Sequence, residues 1–291
     1  MGKFWILAGV CAALTAISPP AAAQSRVLAP IDEWDWGKTG EYCGLVRNFG
    51  ETESPLRMVI YSYGPQGNYR IVLSGADLPR NNDAVERGRA AFGDAGDLED
   101  LHVIVGKRGE DGEIALQANR RSGLSLALTW SASDRETEVT IPLDPLATSF
   151  TIATPRMEPL TLEIGPMQSA LADLATCESQ LLDGWGLDIV DAAEVATPAS
   201  VTNPLPLIRQ LRLPPSIVIN RRSQIINLRL VIDDDGELAD CALQAPNFGE
   251  DVADDMCRVL AREGEFMPAR RRTGEAVPSL LRVSYMMIIY D

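Results

Sequence analysis

The chain has 291 residues, 46% of them hydrophobic, and is long enough for two domains with separate cores. Its 41 acidic and 26 basic residues give a formal net charge of −15, which argues against nucleic acid as a partner because phosphate backbones attract basic surfaces. The sequence has one histidine and lacks a phosphate-binding loop, a Rossmann glycine pattern and a Gly-x-Ser-x-Gly motif, which argues against the common nucleotide-dependent and serine-hydrolase classes.

The first 23 residues have the pattern of a secretory signal peptide. Lys3 precedes the apolar run Phe4–Ile17, and Ala21-Ala-Ala23 supplies a small-residue cleavage site before Gln24. The apolar run has about 14 residues, fewer than the roughly 20 that a membrane-spanning helix needs. We therefore expect an exported, periplasmic protein with no membrane span in the mature chain; a retained N-terminal anchor is the alternative.

Residues 24–191 are predicted to form a β-rich domain, either a sandwich or an open barrel, closed by one helix. Short segments rich in β-branched and aromatic residues alternate with turn sequences, and the polar stretch Arg80–Asp100 is predicted to be a surface loop. The closing helix is expected to begin at Pro166 and to end at Asp183-Gly184. The predicted strands are Tyr42–Phe49, Arg57–Tyr63, Tyr69–Leu73, Leu101–Val105, Ile114–Ala118, Leu124–Trp130, Glu138–Ile141, Ser149–Ala153 and Leu160–Ile164.

Three aromatic residues of this domain are candidates for function. Trp34 and Trp36 flank Asp35 before the first predicted strand, and we expect them to cover the end of the β-domain; the alternative is that they stack on a ligand. His102 lies in the apolar run Leu101–Val105 and is interpreted as a strand residue rather than a catalytic base or metal ligand. No metal or other cofactor is expected.

Four cysteines remain after the predicted cleavage, two in each predicted domain. An even number in an exported chain favours disulfide bonds. Four cysteines allow three pairings, but their placement predicts Cys43–Cys177 within the β-domain and Cys241–Cys257 between a strand and the helix after it. A zinc site is the alternative, and it is disfavoured because the sequence has no Cys-x-x-Cys pair.

A linker is predicted at residues 192–203, followed by a small domain over residues 204–291. In this domain a three-stranded antiparallel sheet is expected to pack on one helix, Glu250–Glu263. The turn Asp233-Asp-Asp-Gly236 joins the first two strands and lacks the ligand pattern of a calcium-binding loop. Gly264 is expected to cap the helix in a left-handed conformation. The apolar face of the helix is formed by Val252, Met256, Val259 and Leu260.

This small domain resembles the C-terminal domain of the TonB family. The likeness rests on the strand and turn Leu228–Gly236, the helix Val252–Arg262, the segment Phe266-Met-Pro-Ala-Arg270 and the segment Gly274–Val277. Family members have a hydrophobic strand ending in Asp-x-x-Gly, a helix, an aromatic-x-Pro element and a closing strand in this order. The resemblance implies a domain that holds a short segment of an outer-membrane receptor by strand addition.

The final strand, Leu281–Tyr290, carries apolar residues on both faces, more than a strand with one face in solvent needs. One explanation is packing against the N-terminal domain or against Leu205–Leu213. The other is an edge that accepts a partner strand, because unpaired backbone groups act as a template. The residues predicted to bind a partner protein are Arg282, Ser284, Met286, Ile288 and Tyr290.

These features predict an exported cell-envelope protein that binds another protein, with a connection to TonB-dependent transport across the outer membrane, and that is not an enzyme. The alternative is a secreted periplasmic enzyme with a carboxylate-based site in the acidic N-terminal β-domain. A cluster of carboxylates with raised pKa values in one pocket favours the enzyme, whereas an open edge on the final strand favours the binding protein.

Overall fold

The computed structural model describes residues 26–65, 69–81, 84–93, 98–108, 111–120, 126–130, 140–203, 224–244 and 250–287. Within these ranges the protein is mixed α+β, mostly sheet, with two α-helices. This confirms the coarse prediction of an α+β fold, whereas the TonB-like identity of the C-terminal domain stays a prediction. The strands of the N-terminal part are β1 (Arg26–Leu28), β2 (Asp35–Lys38), β3 (Cys43–Glu51), β4 (Ser54–Ser62), β5 (Tyr69–Gly75), β6 (Ala84–Phe92), β7 (Glu99–Arg108), β8 (Asp111–Arg120), β9 (Leu126–Trp130), β10 (Thr140–Leu143), β11 (Phe150–Thr154) and β12 (Met157–Leu162).

All of these strands except β9 belong to one large curled sheet that forms a half-barrel. The strand order is β1-β12-β11-β6-β7-β8-β5-β4-β3-β2, and β10 pairs with β8. Along β3 the side chains of Cys43, Leu45, Arg47 and Phe49 are buried, while the residues that alternate with them are half-buried. This period of two directs one face of the sheet to the core and leaves the other face accessible.

Helix α1 (Gln168–Trp185) covers the core face of the half-barrel, as the predicted closing helix should. It ends at Trp185, one residue beyond the predicted end at Asp183-Gly184, and Gly186 then takes a left-handed conformation with φ 59°. A disulfide joins Cys43 of β3 to Cys177 of α1 across a Cα–Cα distance of 6.1 Å. The predicted pairing is therefore confirmed, and the open-barrel alternative fits better than the sandwich.

The prediction of a surface loop over Arg80–Asp100 is wrong, because β6 lies within it and pairs with both β7 and β11. The strand packs through small residues: a Cβ added at Gly88 would meet Val103 Cγ1 at 3.0 Å. Arg87 and Arg89 point away from the core and are exposed. Only Val85 and Phe92 among its nine residues are β-branched or aromatic, so this central strand lacks most of the signal on which the strand prediction relied.

The C-terminal part forms a second sheet in the order β16-β15-β20-β9. Its first three strands are antiparallel, as predicted, and β9 of the N-terminal part adds to β20 in parallel. Helix α2 (Glu250–Glu263) buries Met256 and Leu260 in the core of this sheet. The strands are β13 (Val195–Thr197), β14 (Ser200–Val201), β15 (Gln224–Ile232), β16 (Leu238–Leu243), β17 (Phe266–Met267), β18 (Ala269–Arg271), β19 (Ala276–Val277) and β20 (Ser279–Met287).

The sequence made two further predictions about this part, a disulfide bond and a linker. The second predicted disulfide is confirmed, since Cys241 of β16 is bonded to Cys257 of α2 with their Cα atoms 5.7 Å apart. Residues 192–203, predicted as a linker, contain a short 3-10 helix and the strands β13 and β14, which pair with β18 and β17. The structure thus packs this segment onto the C-terminal part.

Gly264 does not have the left-handed conformation expected of it. Its N–H still donates to Leu260 O, at 2.9 Å, so the helical bonding pattern continues through it. A Cβ at this position would lie 2.5 Å from Cε2 of Phe266. The glycine is needed here because the Phe266 ring packs directly against the backbone.

Candidate functional site

The edge of β20 that was predicted to be open is occupied. Strand β9 pairs with it in parallel from Val283↔Leu126 to Met287↔Trp130, while β15 pairs with its other side. The prediction of an exposed edge is therefore wrong for residues 283–287, because the chain supplies a strand of its own there. Binding of a partner protein by Ser284 and Met286 stays a prediction, and Ile288 and Tyr290 lie outside the described residues.

Arg282, the first of the predicted partner-binding residues, is buried with 4% of its surface exposed. Its Nη1 donates to Oε1 of Gln244, and its guanidinium lies 4.8 Å from the ring centroid of Trp185 at the end of α1. This residue therefore contacts the N-terminal domain and is not available to a partner. For Arg282 this contact fits packing against the N-terminal domain, which is one of the two explanations given for the second face of β20.

Arg229 lies opposite Arg282 on the adjacent strand β15 and contacts the same aromatic ring, that of Trp185. Its guanidinium is 4.6 Å from the Trp185 ring centroid, and its Nη2 donates to Asp240 at 3.2 Å. Two arginines thus stack on one indole, an arrangement in which the ring quadrupole attracts both cations. We call Arg229, Arg282, Trp185, Gln244 and Glu178 the arginine cluster.

Nearby carboxylates offset the two positive charges, and the amide of Gln244 links the cluster by hydrogen bonds. Glu178 of α1 is buried and accepts a hydrogen bond from Ser62 Oγ at 2.5 Å. Gln244 donates through Nε2 to the carbonyl oxygens of Glu41, at 2.9 Å, and Tyr63, at 3.1 Å. The cluster therefore ties β15 and β20 to α1 and to the half-barrel beside β3 and β4.

Burial destabilises the charged form of the Arg282 side chain. Burial and the neighbouring charge of Arg229 lower the pKa of Arg282 to about 9, against the opposing attraction of Glu178 and Glu41. Its Nε and Nη2 donate to no hydrogen-bond acceptor among the described residues. The guanidinium is held by packing as well, because a Cβ added at Gly64 would collide with it.

A second feature lies on the accessible face of β2 to β5, opposite the core. It is a groove with a cavity volume of about 920 Å³, here called the aromatic groove. The residues that line it include Trp36, Tyr42, Gly44, Val59 and Tyr61. The Tyr42 and Tyr61 rings meet edge to face, with centroids 5.4 Å apart.

The two tryptophans that were considered together have different environments. Trp34 donates through Nε1 to the carbonyl oxygen of Ile164 at 3.1 Å and has Arg47 over its ring, so it covers the end of the β-domain as expected. Trp36 is 38% exposed and lines the aromatic groove. Ligand stacking by Trp36 stays a prediction.

The two remaining candidates are His102 and the acidic turn at Asp233, and both lie in structural environments. His102 lies on β7 opposite Arg87 of β6, and its pKa is lowered by burial and then by that arginine. Asp233 Oδ1 accepts the backbone N–H groups of Asp235 and Glu237, at 3.1 and 2.7 Å, so it closes the acidic turn. In the described ranges no three His, Cys, Asp or Glu side chains are grouped as metal ligands would be.

No protein-family model matches the chain, and neither the curated proteins nor the solved structures include a significant match. The resemblance of the C-terminal part to the TonB family therefore stays a prediction. Neither described helix combines the length and apolarity that crossing a bilayer requires. The two disulfides fit an exported protein.

Sequence reasoning missed most of the arginine cluster. Trp185, Gln244 and Glu178 were not singled out, although Glu178 had a recognisable cue. It lies between Leu174 and Leu181 at helical spacing, so a carboxylate falls within the apolar stripe of α1. A charged residue in such a position requires a buried partner.

Proposed function

We propose that this chain is an exported, periplasmic cell-envelope protein that binds another protein by adding an extended segment of it to the C-terminal sheet. The proposal extends to a connection with TonB-dependent transport, which rests on the TonB-like sequence pattern. The observation that carries the proposal is the pairing of β9 with β20. A segment remote in sequence from the C-terminal sheet adds to it as a fourth strand, on the side of β20 away from β15.

The sheet is well suited to such an exchange. Strand β15 pairs with β16 on one side and with β20 on the other, and these three strands share a core with α2. Strand β9 contributes only five residue pairs. Among the described residues, β9 pairs with no other strand. Its replacement by a partner strand would restore the same backbone hydrogen bonds and leave the three antiparallel strands intact.

In the free protein, β9 occupies the position beside β20 that a partner strand would take in the complex. A tethered strand competes with any added strand at an effective concentration that is in the millimolar range for short flexible connections. A partner must therefore bind more strongly than β9 does, or at more points. This competition raises the selectivity of the site, because weak extended peptides do not displace the chain's own strand.

The experiment uses the chain's own segment as a probe. Thr129→Pro removes a backbone donor from β9 and is expected to release it from β20. A synthetic peptide of residues 124–130 should then bind the Thr129→Pro protein in isothermal titration calorimetry and should bind the unchanged protein at least about tenfold more weakly. The matched control is the same peptide with proline at the position of Thr129.

Two outcomes contradict the proposal. One is that the peptide binds neither protein, which means that the edge does not accept a strand supplied from outside. The other is that the proline-containing peptide binds as well as the unmodified one, which means that the backbone ladder is not the source of affinity. Far-UV circular dichroism of the Thr129→Pro protein verifies that the rest of the fold is retained.

A further inference from the structure

A second cavity lies where the end of α1 meets the C-terminal part of the chain, and we call it the junction cavity. Its volume is about 630 Å³, within the roughly 300–1,000 Å³ of small-ligand pockets. One wall is a single face of α1 and its cap, because Ser179, Leu182, Asp183 and Gly186 follow one another at helical spacing. The other walls come from the segment after α1, from β13 and from the first residues of β20.

The apolar part of this lining is aliphatic. The segment after α1 supplies half of it and is fixed to the start of β20 by a hydrogen bond from the Val190 N–H to the carbonyl oxygen of Pro278, at 3.2 Å. No aromatic ring lines the cavity within the part of the chain that the structure describes. The lining therefore suits an alkyl chain, which needs close packing, better than a flat ring that needs a stacking partner. The aliphatic residues are Leu182, Leu187, Ile189, Val190, Val195 and Leu280.

The charged groups of the lining are acidic. Asp183 and Asp191 border the cavity, whereas no Lys, Arg or His does so among the described residues. Asp191 Oδ1 already accepts the backbone N–H of Ala193 at 2.9 Å. The Asp183 carboxylate is exposed and has no hydrogen bond or ion pair with another described residue. The junction cavity thus combines an aliphatic lining with an unpaired negative charge.

The place of Asp183 in α1 strengthens the negative potential. The residue lies in the last turn of the helix, which ends at Trp185 and has no basic residue in that turn. The last carbonyl groups of a helix lack intrahelical partners and give its C-terminus a partial negative charge. A carboxylate at this end is unfavourable for the helix. A cation in the cavity would be attracted by the carboxylate and by the helix terminus together.

The arginines on neighbouring strands do not neutralise this charge. Arg282 of β20 is buried against the ring of Trp185. Arg271 of β18, the strand that pairs with β13, forms ion pairs with Glu194 at 2.9 Å and Glu275 at 3.1 Å. Neither arginine lines the cavity. Within the described residues no cation is committed to Asp183, so a ligand can supply one.

We propose that the junction cavity binds an alkyl chain that carries a primary ammonium group. The chain lies along the aliphatic lining, and the ammonium donates charge-assisted hydrogen bonds to Asp183 and to carbonyl groups at the end of α1. A quaternary ammonium has no N–H to donate and is typically held by aromatic rings, which the described lining lacks. This site is independent of the strand-addition site proposed above.

The test is a calorimetric titration of the full chain with n-octylamine in about 150 mM salt, where charges more than about 8 Å apart are largely screened. Octyltrimethylammonium, octanol and octanoate keep the chain and change the head group. We expect saturable binding of octylamine and at least about tenfold weaker binding of the other three. Absence of octylamine binding overturns the proposal, as does equal binding of any of the comparison ligands.

Two matched substitutions test the role of the carboxylate. Asp183→Asn removes the unpaired charge and should weaken octylamine binding by at least about tenfold. It should not lower the thermal transition, because the charge opposes the helix dipole. Asp188→Asn removes the same charge from an exposed residue outside the lining and should bind normally. Unchanged binding by Asp183→Asn overturns the proposal, and so does equal weakening by both variants, which would mean a general attraction to an acidic surface.

Two tryptophan substitutions test the location without changing charge. Ser179→Trp places a large ring at an exposed position of the lining and should block octylamine binding. Gln180→Trp places the same ring at the next exposed position of α1, outside the lining, and should leave binding unchanged. Circular dichroism verifies that both variants fold; if Ser179→Trp does not, the aspartate pair decides alone. Equal affinity of folded Ser179→Trp and the unchanged protein would place octylamine elsewhere and overturn the proposal.

Discussion

Arg229 and Arg282 lie opposite each other on neighbouring strands, and both guanidinium groups stack on the indole of Trp185 at 4.6 and 4.8 Å from its centroid. The two cations belong to the C-terminal sheet, whereas the ring and the buried carboxylate of Glu178 belong to α1. The contact therefore fixes the position of β20 relative to the half-barrel. It supports the same strand whose edge is occupied by β9.

Arg282→Met should lower the free energy of unfolding by about 2–4 kcal/mol, because Glu178 stays buried after its nearby cation is removed and Gln244 loses a donor. Adding Glu178→Gln should recover part of the loss. In a double-mutant cycle measured by urea denaturation we expect a coupling of about 1–2 kcal/mol. Additive effects of the two substitutions would show that the Glu178 carboxylate and the Arg282 guanidinium do not interact.

Gly64→Ala tests the packing of the Arg282 guanidinium on the backbone. Gly64 has φ 115°, and a Cβ there would collide with Arg282. Gly93 has a similar φ of 101° with nothing within 4 Å of an added Cβ, so Gly93→Ala is the matched control. We expect a loss of about 1 kcal/mol for the control and at least about 2 kcal/mol more for Gly64→Ala. Equal losses would mean that only backbone strain matters.

The two disulfides should contribute unequally to stability. The Cys43–Cys177 bond closes a loop with a sequence separation of 134, and the Cys241–Cys257 bond closes one of 16. In the chain-entropy model these correspond to about 5 and about 3 kcal/mol. Cys-to-Ala double substitutions of each pair, compared by denaturant unfolding, should rank in that order. The reverse order would show that native-state strain outweighs loop entropy.

His102 allows a clean test of pH dependence because it is the only histidine in the chain. Its folded pKa is lowered by burial and by Arg87, so the unfolded chain binds the proton more tightly. Its contribution to stability is therefore present above pH 6.5, the ordinary pKa, and is lost as the pH falls through the folded value. The imidazole resonance in proton NMR should titrate below pH 6.5. A midpoint at or above 6.5 would contradict this.

Features that depend on local pattern were predictable from the sequence. The alternation in Tyr42–Phe49 and Arg57–Tyr63 marked β3 and β4, and the helical spacing in Glu250–Glu263 marked α2. The disulfides followed from the placement of two cysteines in each predicted domain. Apart from the Cys43–Cys177 pair, whose cysteines are 134 residues apart, the residues that determine these features lie close together in the sequence.

Features that depend on distant contacts were not predictable. Leu124–Trp130 was identified as a strand, but its own residues do not reveal that it pairs with β20. Strand β6 was mistaken for a loop, since its small residues Gly88, Ala90 and Ala91 gain their stability from the strands on both sides. The apolar character of both faces of the final strand was observed correctly, yet the pattern alone fitted both an open edge and burial against another domain.

The most direct measurement of the central claim is photo-crosslinking in cells from residue 286, beside β9. The full chain carries a photoreactive amino acid in place of Met286, and the control carries it in place of Leu146, which is 68% exposed. We expect position 286 to form a crosslink to a second envelope protein, and Thr129→Pro to increase its yield because β9 no longer occupies the edge. Position 146 should not form this product. If position 286 crosslinks only to residues 126–130 of its own chain, with or without Thr129→Pro, the C-terminal sheet does not bind a partner by strand addition.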